Sequence, residues 1–121
     1  MLLKLSNLKF DIYVGDTGNL ATSKNYLNFR WKDPDCNILF SVTRRGNAAL
    51  SHLSSDKPGL RKLEQAINDW CEFCFYIYEW CEFVVGVIER PSIRRLAEKC
   101  GFVYLADDKI GKRKIYIRRK S

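Results

Sequence analysis

The stretch Val87-Ile88-Glu89-Arg90-Pro91-Ser92-Ile93-Arg94-Arg95-Leu96-Ala97-Glu98-Lys99-Cys100-Gly101-Phe102 constrains the fold more than any other part of this chain. It reads as a strand, a tight turn, a short helix, a stop and a new strand. Pro91 opens the helix, because its missing N–H and preset φ cost nothing at the first helical position. Ile93, Leu96, Ala97 and Cys100 recur at three- and four-residue steps and face inward. Gly101 is the residue that can adopt the left-handed conformation ending such a helix.

The segments around it alternate between strand and helix signals. Lys9–Val14 alternates and stops at Gly15-Asp16, an early strand. Thr17 to Asn25 is polar and reads as a loop or one short helical turn. Tyr26–Trp31 alternates again, and Asp33-Pro34-Asp35 forms a turn. Asn37–Thr43 is a third strand, Arg45-Gly46-Asn47 a hairpin turn, and Ala48–Leu53 a fourth strand. Ser55 or Asp56 can cap the long helix that follows, with Pro58 in its first turn. Leu60, Leu63, Ala66, Ile67, Trp70, Cys74 and Ile77 form its apolar face, and Glu64, Asn68, Asp69 and Glu72 lie mainly on the polar side. It ends near Tyr76 to Glu79, where no glycine marks the boundary. Glu82–Ile88 is then a buried strand. Phe102–Ala106 and Lys114–Arg118 are strands joined by Asp107-Asp108-Lys109-Ile110-Gly111. This order describes an α+β layer with two main helices on a mixed sheet. The tetrad Trp-Cys-Glu-Phe occurs at 70–73 and 80–83, once in the helix and once at a strand entrance, which is coincidence and not a repeat.

A chain of 121 residues supports one domain, here 1–121. No apolar run reaches the roughly 18 residues needed to span a bilayer, and Met1–Leu5 is too short for a secretory signal. The expected address is a cytoplasm. Five cysteines without a signal peptide imply reduced thiols. Cys71-x-x-Cys74 has metal-like spacing but sits in a helical pattern with no second pair, so these read as core thiols and no metal is expected.

Charge is distributed unevenly. Residues 1–83 hold ten Lys/Arg and ten Asp/Glu. Residues 84–121 hold eleven against four, which is the whole net charge of +7. Such asymmetry points to an anionic partner: CoA phosphates, nucleic acid or an acidic protein face. Lys112, Arg113, Lys114, Arg118 and Arg119 surround Tyr116 in the last strand, and Arg90, Arg94 and Arg95 extend the patch. On a strand Lys114, Tyr116 and Arg118 share one face, with Ile115 and Ile117 on the other. The cations can contact phosphates and the aromatic can stack on a base. The simpler alternative is a solvated helix face followed by a basic tail.

Ser92 and Glu98-Lys99-Cys100-Gly101-Phe102, following a strand, resemble the last helix of GCN5-related N-acetyltransferases (GNAT). Many members of that family run strand, Asn-x-x-Ser, then an amphipathic helix ending Glu-Lys-x-Gly-Phe. Glu89 stands where the Asn would be. The resemblance covers roughly residues 36–118 and is specific over 85–102. It implies a GNAT-like mixed sheet and transfer of an acetyl group from acetyl-CoA to an amine. It implies a pyrophosphate loop at Ser54–Lys62, where family members carry Arg/Gln-x-x-Gly-x-Gly/Ala and backbone N–H groups face the phosphates. Only Gly59 matches that glycine pattern. Lys57, Gly59, Leu60 and Arg61 are the cofactor contacts so implied, with Glu89 toward the pantetheine arm. Asp56 adds negative charge there and Pro58 removes a donor. The resemblance further implies Ser92 as the acid for the leaving thiolate, because the alternative tyrosine position holds Ala97.

A base must take the amine proton. No Asp or Glu lies between Cys36 and Ser55, and His52, the single histidine, is on the fourth strand with an ordinary pKa near 6.5. Tyr104 and Tyr116 are further polar aromatics near the expected cleft, and core packing is their simpler role. A second function remains open: a GNAT fold without catalysis that uses its basic last third to bind an acidic protein or nucleic acid. Small truncated GNAT-like proteins are familiar from bacteriophage genomes, where some are accessory or host-directed factors. That likeness implies a phage-encoded protein acting in host cytoplasm.

Overall fold

The computed structural model describes residues 8–15, 25–109 and 111–121. The expected loop or turn at Thr17 to Asn25 therefore lies, but for its last residue, outside the described residues. Seven strands form one sheet: β1 Phe10–Ile12, β2 Leu27–Trp31, β3 Ile38–Arg45, β4 Ala48–Ser55, β5 Phe83–Ile88, β6 Val103–Asp107 and β7 Lys114–Arg119. Their spatial order is β1-β2-β3-β4-β5-β7-β6. A 3₁₀ helix, Pro58–Lys62, leads into α1, Leu63–Ile77, and α2 spans Pro91–Lys99. The α+β class and the mixed sheet with two main helices match the sequence reading.

Local chemistry places most of these elements. The Asp33 carboxylate accepts the Asp35 N–H at 2.8 Å, closing the expected turn between β2 and β3. Gly46 has φ +62, the left-handed value that the two-residue β3–β4 turn requires. Gly101 has φ +87, and the Phe102 N–H reaches back to the Ala97 carbonyl at 3.0 Å to end α2. Where no glycine ends α1, Tyr78 turns extended and stacks on Trp80 at 4.8 Å, with Arg44 over the Trp80 ring.

The core lies between the sheet and α1. Trp70 stacks on Phe40 at 4.7 Å, and Phe10, Phe29 and Phe73 surround it at 5.3–5.7 Å. Its Nε1 donates to Ser51 Oγ at 2.9 Å. Asp69 departs from its expected place on the polar side of α1. It is buried, accepting from Trp31 Nε1 at 2.9 Å and pairing with Lys9 at 3.2 Å, and so ties α1 to β2 and to the residue before β1. Leu60 and Ile77, expected on the apolar face, are exposed, whereas Cys71 and Phe73 are buried. All five thiols are buried and free. Burial pushes the Cys71 thiol up to about 12 and raises the others, so they are protonated and inert. Among the described residues no three ligand-type side chains are arranged to hold a metal ion. No helix there is long and apolar enough to cross a membrane.

Candidate active site

The site is made by two strands that start as neighbours and part. β4 and β5 are parallel and pair from Ala48–Phe83 to Ser51–Gly86. Beyond that, β4 stays on β3 to its last residue, Ser55, and β5 stays on β7 to Ile88. Each follows its own antiparallel partner, and a cleft of about 590 Å³ opens between them. Gly86 keeps its floor bare, since a Cβ there would meet only Ile88, at 3.7 Å. Ser51, Leu53, Trp70, Val85 and Ile93 contribute to its walls.

His52 is on this cleft. It pairs with Ser41 across the β3–β4 ladder, whereas Leu53 pairs with Phe40, so His52 stands on the sheet face opposite α1. Its Nε2 lies 3.4 Å from Tyr26 Oη, and the two rings are 5.5 Å apart. Burial, then the nearby Arg113 charge, holds its pKa below the ordinary histidine value. It is therefore a neutral imidazole at pH 7, able to accept a proton. Sequence reasoning missed Tyr26 as a site member and gave Arg113 a different place. Tyr26 immediately precedes β2, and only the pairing of β2, β3 and β4 brings it to His52. Arg113 was expected on a surface patch, but it lines the cleft and pairs with Asp108 at 2.6 Å.

The loop after β4 is closed on itself. The Asp56 carboxylate accepts the Gly59 N–H with one oxygen and the Asn37 N–H with the other, both at 2.9 Å. The Leu60 N–H donates to the Lys57 carbonyl at 3.2 Å, and Pro58 has no N–H. The Gly59 and Leu60 donors are thus consumed within the chain. Gly59 is buried, and a Cβ there would collide with Ser55 Oγ and lie 2.7 Å from Ile38 Cγ1. Its glycine identity serves packing. Leu60 and Glu89 line the cleft, while Lys57 and Arg61 are exposed beside it and do not line it. Ser92 is exposed in the first turn of α2 and is not part of the cleft wall.

The basic last third is dispersed. Tyr116 pairs with Gly86 and Arg118 with Val84, so Lys114, Tyr116 and Arg118 face the helices. Tyr116 is buried, and Arg118 donates to Asn68 of α1 at 2.9 Å. The expected stacking platform is therefore covered. Lys114 pairs with Asp107 at 2.5 Å, and Tyr104 also donates to Asp107, at 2.8 Å, away from the cleft. Arg95 and Arg119 are exposed. Arg90, Arg94, Lys112 and Lys114 border a separate groove.

No protein-family model and no curated protein sequence matches the chain. Solved structures do. A point mutant of the spermidine N-acetyltransferase SpeG from Vibrio cholerae aligns with TM-score 0.63 and 18% identity, over 79% of this chain and 66% of that one. A chimera of Vibrio cholerae SpeG and hSSAT gives TM-score 0.65 and 17% identity, over 79% and 66%. The N-acetyltransferase PseH of Campylobacter jejuni, in complex with acetyl coenzyme A, gives 0.63 and 12%, over 82% and 71%. This chain thus spans about two thirds of the length of SpeG. Seven strands in this order, with the parting of β4 and β5 and two packed helices, give the chain the GNAT fold that these N-acetyltransferases share.

Proposed function

We propose that the protein transfers an acetyl group from acetyl-CoA to an amine, in the cleft between β4 and β5. The observation that carries this reading is a neutral His52 placed on an open, partly apolar cleft where two parallel strands separate. SpeG and PseH, which share the fold, are N-acetyltransferases, and PseH is seen with acetyl-CoA. The cleft suits a thioester arm: Leu53, Val85 and Ile93 offer apolar contact, and Glu89 is a hydrogen-bond acceptor at its outer end. When bound, acetyl-CoA would supply an activated acyl carbon. The amine nitrogen bonds to that carbon as the carbon–sulfur bond breaks. His52 takes the amine proton, assisted by Tyr26, which orients the imidazole. With Ser92 outside the cleft wall, the proton for the departing thiolate comes from solvent. Beyond Gly86, the β4-facing backbone of β5 leaves the ladder and is free to polarise the thioester carbonyl.

Titration calorimetry with acetyl-CoA tests the reading, followed by a thiol-release assay across candidate amines. Micromolar binding and a His52→Gln variant that binds normally but loses about 100-fold in turnover are expected. Absence of binding at millimolar acetyl-CoA would defeat it. The closed Asp56 loop would then favour the second reading, a binding protein built on the same fold.

A further inference from the structure

A second groove, of about 640 Å³, lies between the start of α2 and the β6–β7 turn. Seven residues line it, and four of them, Arg90, Arg94, Lys112 and Lys114, are cations, with Glu89 the one acid. Asp107 matches Lys114. Arg90, Arg94 and Lys112 have no side-chain hydrogen bond or ion pair among the described residues. The Nε of Arg94 is buried without a partner. Asp107 raises the Lys114 pKa, and the Arg94 charge works against it, so the two cations feel each other across the groove. Cations gathered in one concavity, with one exposed acid between them, are stabilised by an anion from outside.

Position makes the groove informative. Glu89 and Arg90 line both the groove and the cleft, so the two cavities share a wall. The groove is on the β5–α2 side, opposite the Asp56 loop. At that loop the Gly59 and Leu60 N–H groups are consumed, Pro58 has none, and Asp56 repels phosphate. The side of the cleft that would ordinarily be asked to hold phosphates is closed, and the other side holds unmatched positive charge.

We infer that Arg90, Arg94 and Lys112 bind the phosphates of the acyl donor, whose nucleotide end crosses the start of α2 and not the start of α1. The identity of the ligand rests on the acyltransferase reading. The anion chemistry rests on the groove alone. Guanidinium groups suit this role, since they present paired donors to phosphate oxygens.

Calorimetry on the full chain separates the two. Three probes are used: acetyl-CoA, acetyl-pantetheine, which lacks phosphates, and 3′,5′-ADP, which lacks the thioester arm. Arg94→Gln should weaken acetyl-CoA about tenfold, the loss expected for a charged hydrogen bond. It should abolish measurable 3′,5′-ADP binding and leave acetyl-pantetheine unchanged. Lys112→Gln, at an exposed position, should act in the same direction and guards against misfolding of the first variant. If both variants bind acetyl-CoA and 3′,5′-ADP like the parent, the inference is overturned. The same holds if the parent binds none of the three probes. If the parent binds neither thioester but binds 3′,5′-ADP in a variant-sensitive way, the acyltransferase reading fails and the phosphate groove stands. If the variants lose only a single-stranded oligonucleotide, the groove belongs to nucleic acid and the inference falls.

Discussion

The two walls of the cleft are built on opposite terms. On the β4–α1 wall, α1 buries eight residues, among them Trp70, Ile67 and Phe73, against the aromatic cluster of β1, β2 and β3. Its entry is sealed by the Asp56 carboxylate and by Gly59 packed onto Ile38 and Ser55. On the β5–α2 wall, α2 buries only Ala97 fully, has no side-chain cap, and is flanked by unmatched arginines. The edge strand β6 leaves Val103, Tyr104 and Leu105 exposed. The first wall holds the molecule together and has spent its polar groups doing so. The second leaves charge and surface available. In this fold, buried support and unmatched charge fall at different helix starts.

The largest effect that would test this contrast is Trp70→Ala. Removing the ring that Phe40, Phe10, Phe29 and Phe73 pack on should destabilise the protein by about 3–5 kcal/mol, read as a fall in the urea midpoint. A loss below about 1 kcal/mol would show that the first wall is not the main support. Next is Gly59→Ala, which forces a Cβ against Ile38 and Ser55 and should cost about 1–3 kcal/mol. A neutral result would mean the loop has room, and would return Gly59 to candidacy for close phosphate approach. Asp56→Ala removes the acceptor for two backbone N–H groups, with an expected loss of about 1–2 kcal/mol.

His52 supplies a pH-dependent test. Its folded pKa lies below the unfolded value near 6.5, so the unfolded chain binds the proton more readily. Its contribution is therefore present above pH 6.5 and is lost as pH falls through the depressed folded pKa. Urea midpoints should drop between pH 7 and 5, and less so in His52→Gln. A histidine-independent profile would show that His52 is not held neutral by its surroundings. The smallest effect is at the second helix start. Ser92→Ala, exposed in the first turn of α2, should change stability by no more than about 0.5 kcal/mol. A larger loss would mean that α2 depends on Ser92 at its start.

Much of the fold was legible because its signals are local. Pro91 and Gly101 bracket α2, Gly46 sets the β3–β4 turn, and period-two alternation marks β1 and β2. The site was less legible. His52 could be singled out as the lone histidine of a strand, but its neighbours Tyr26 and Arg113 come from 26 residues upstream and from the far hairpin. Asp69 looked solvated by helical spacing, yet Trp31 of β2 and Lys9, just before β1, meet it. The basic run at 112–120 looked like one patch. Strand pairing turned Tyr116 and Arg118 under the helices and Arg113 into the cleft.

By itself the sequence determined the order of strands and helices, the ends of α2, and the excess of positive charge in the last third. These depend on φ preferences, missing donors and side-chain periodicity, which act within a few residues. Tertiary structure decided where β4 and β5 part, which donors of the Asp56 loop are already taken, and which cations are left unmatched. Those outcomes depend on which distant strand each segment pairs with, because pairing chooses the face, and the face chooses the partner.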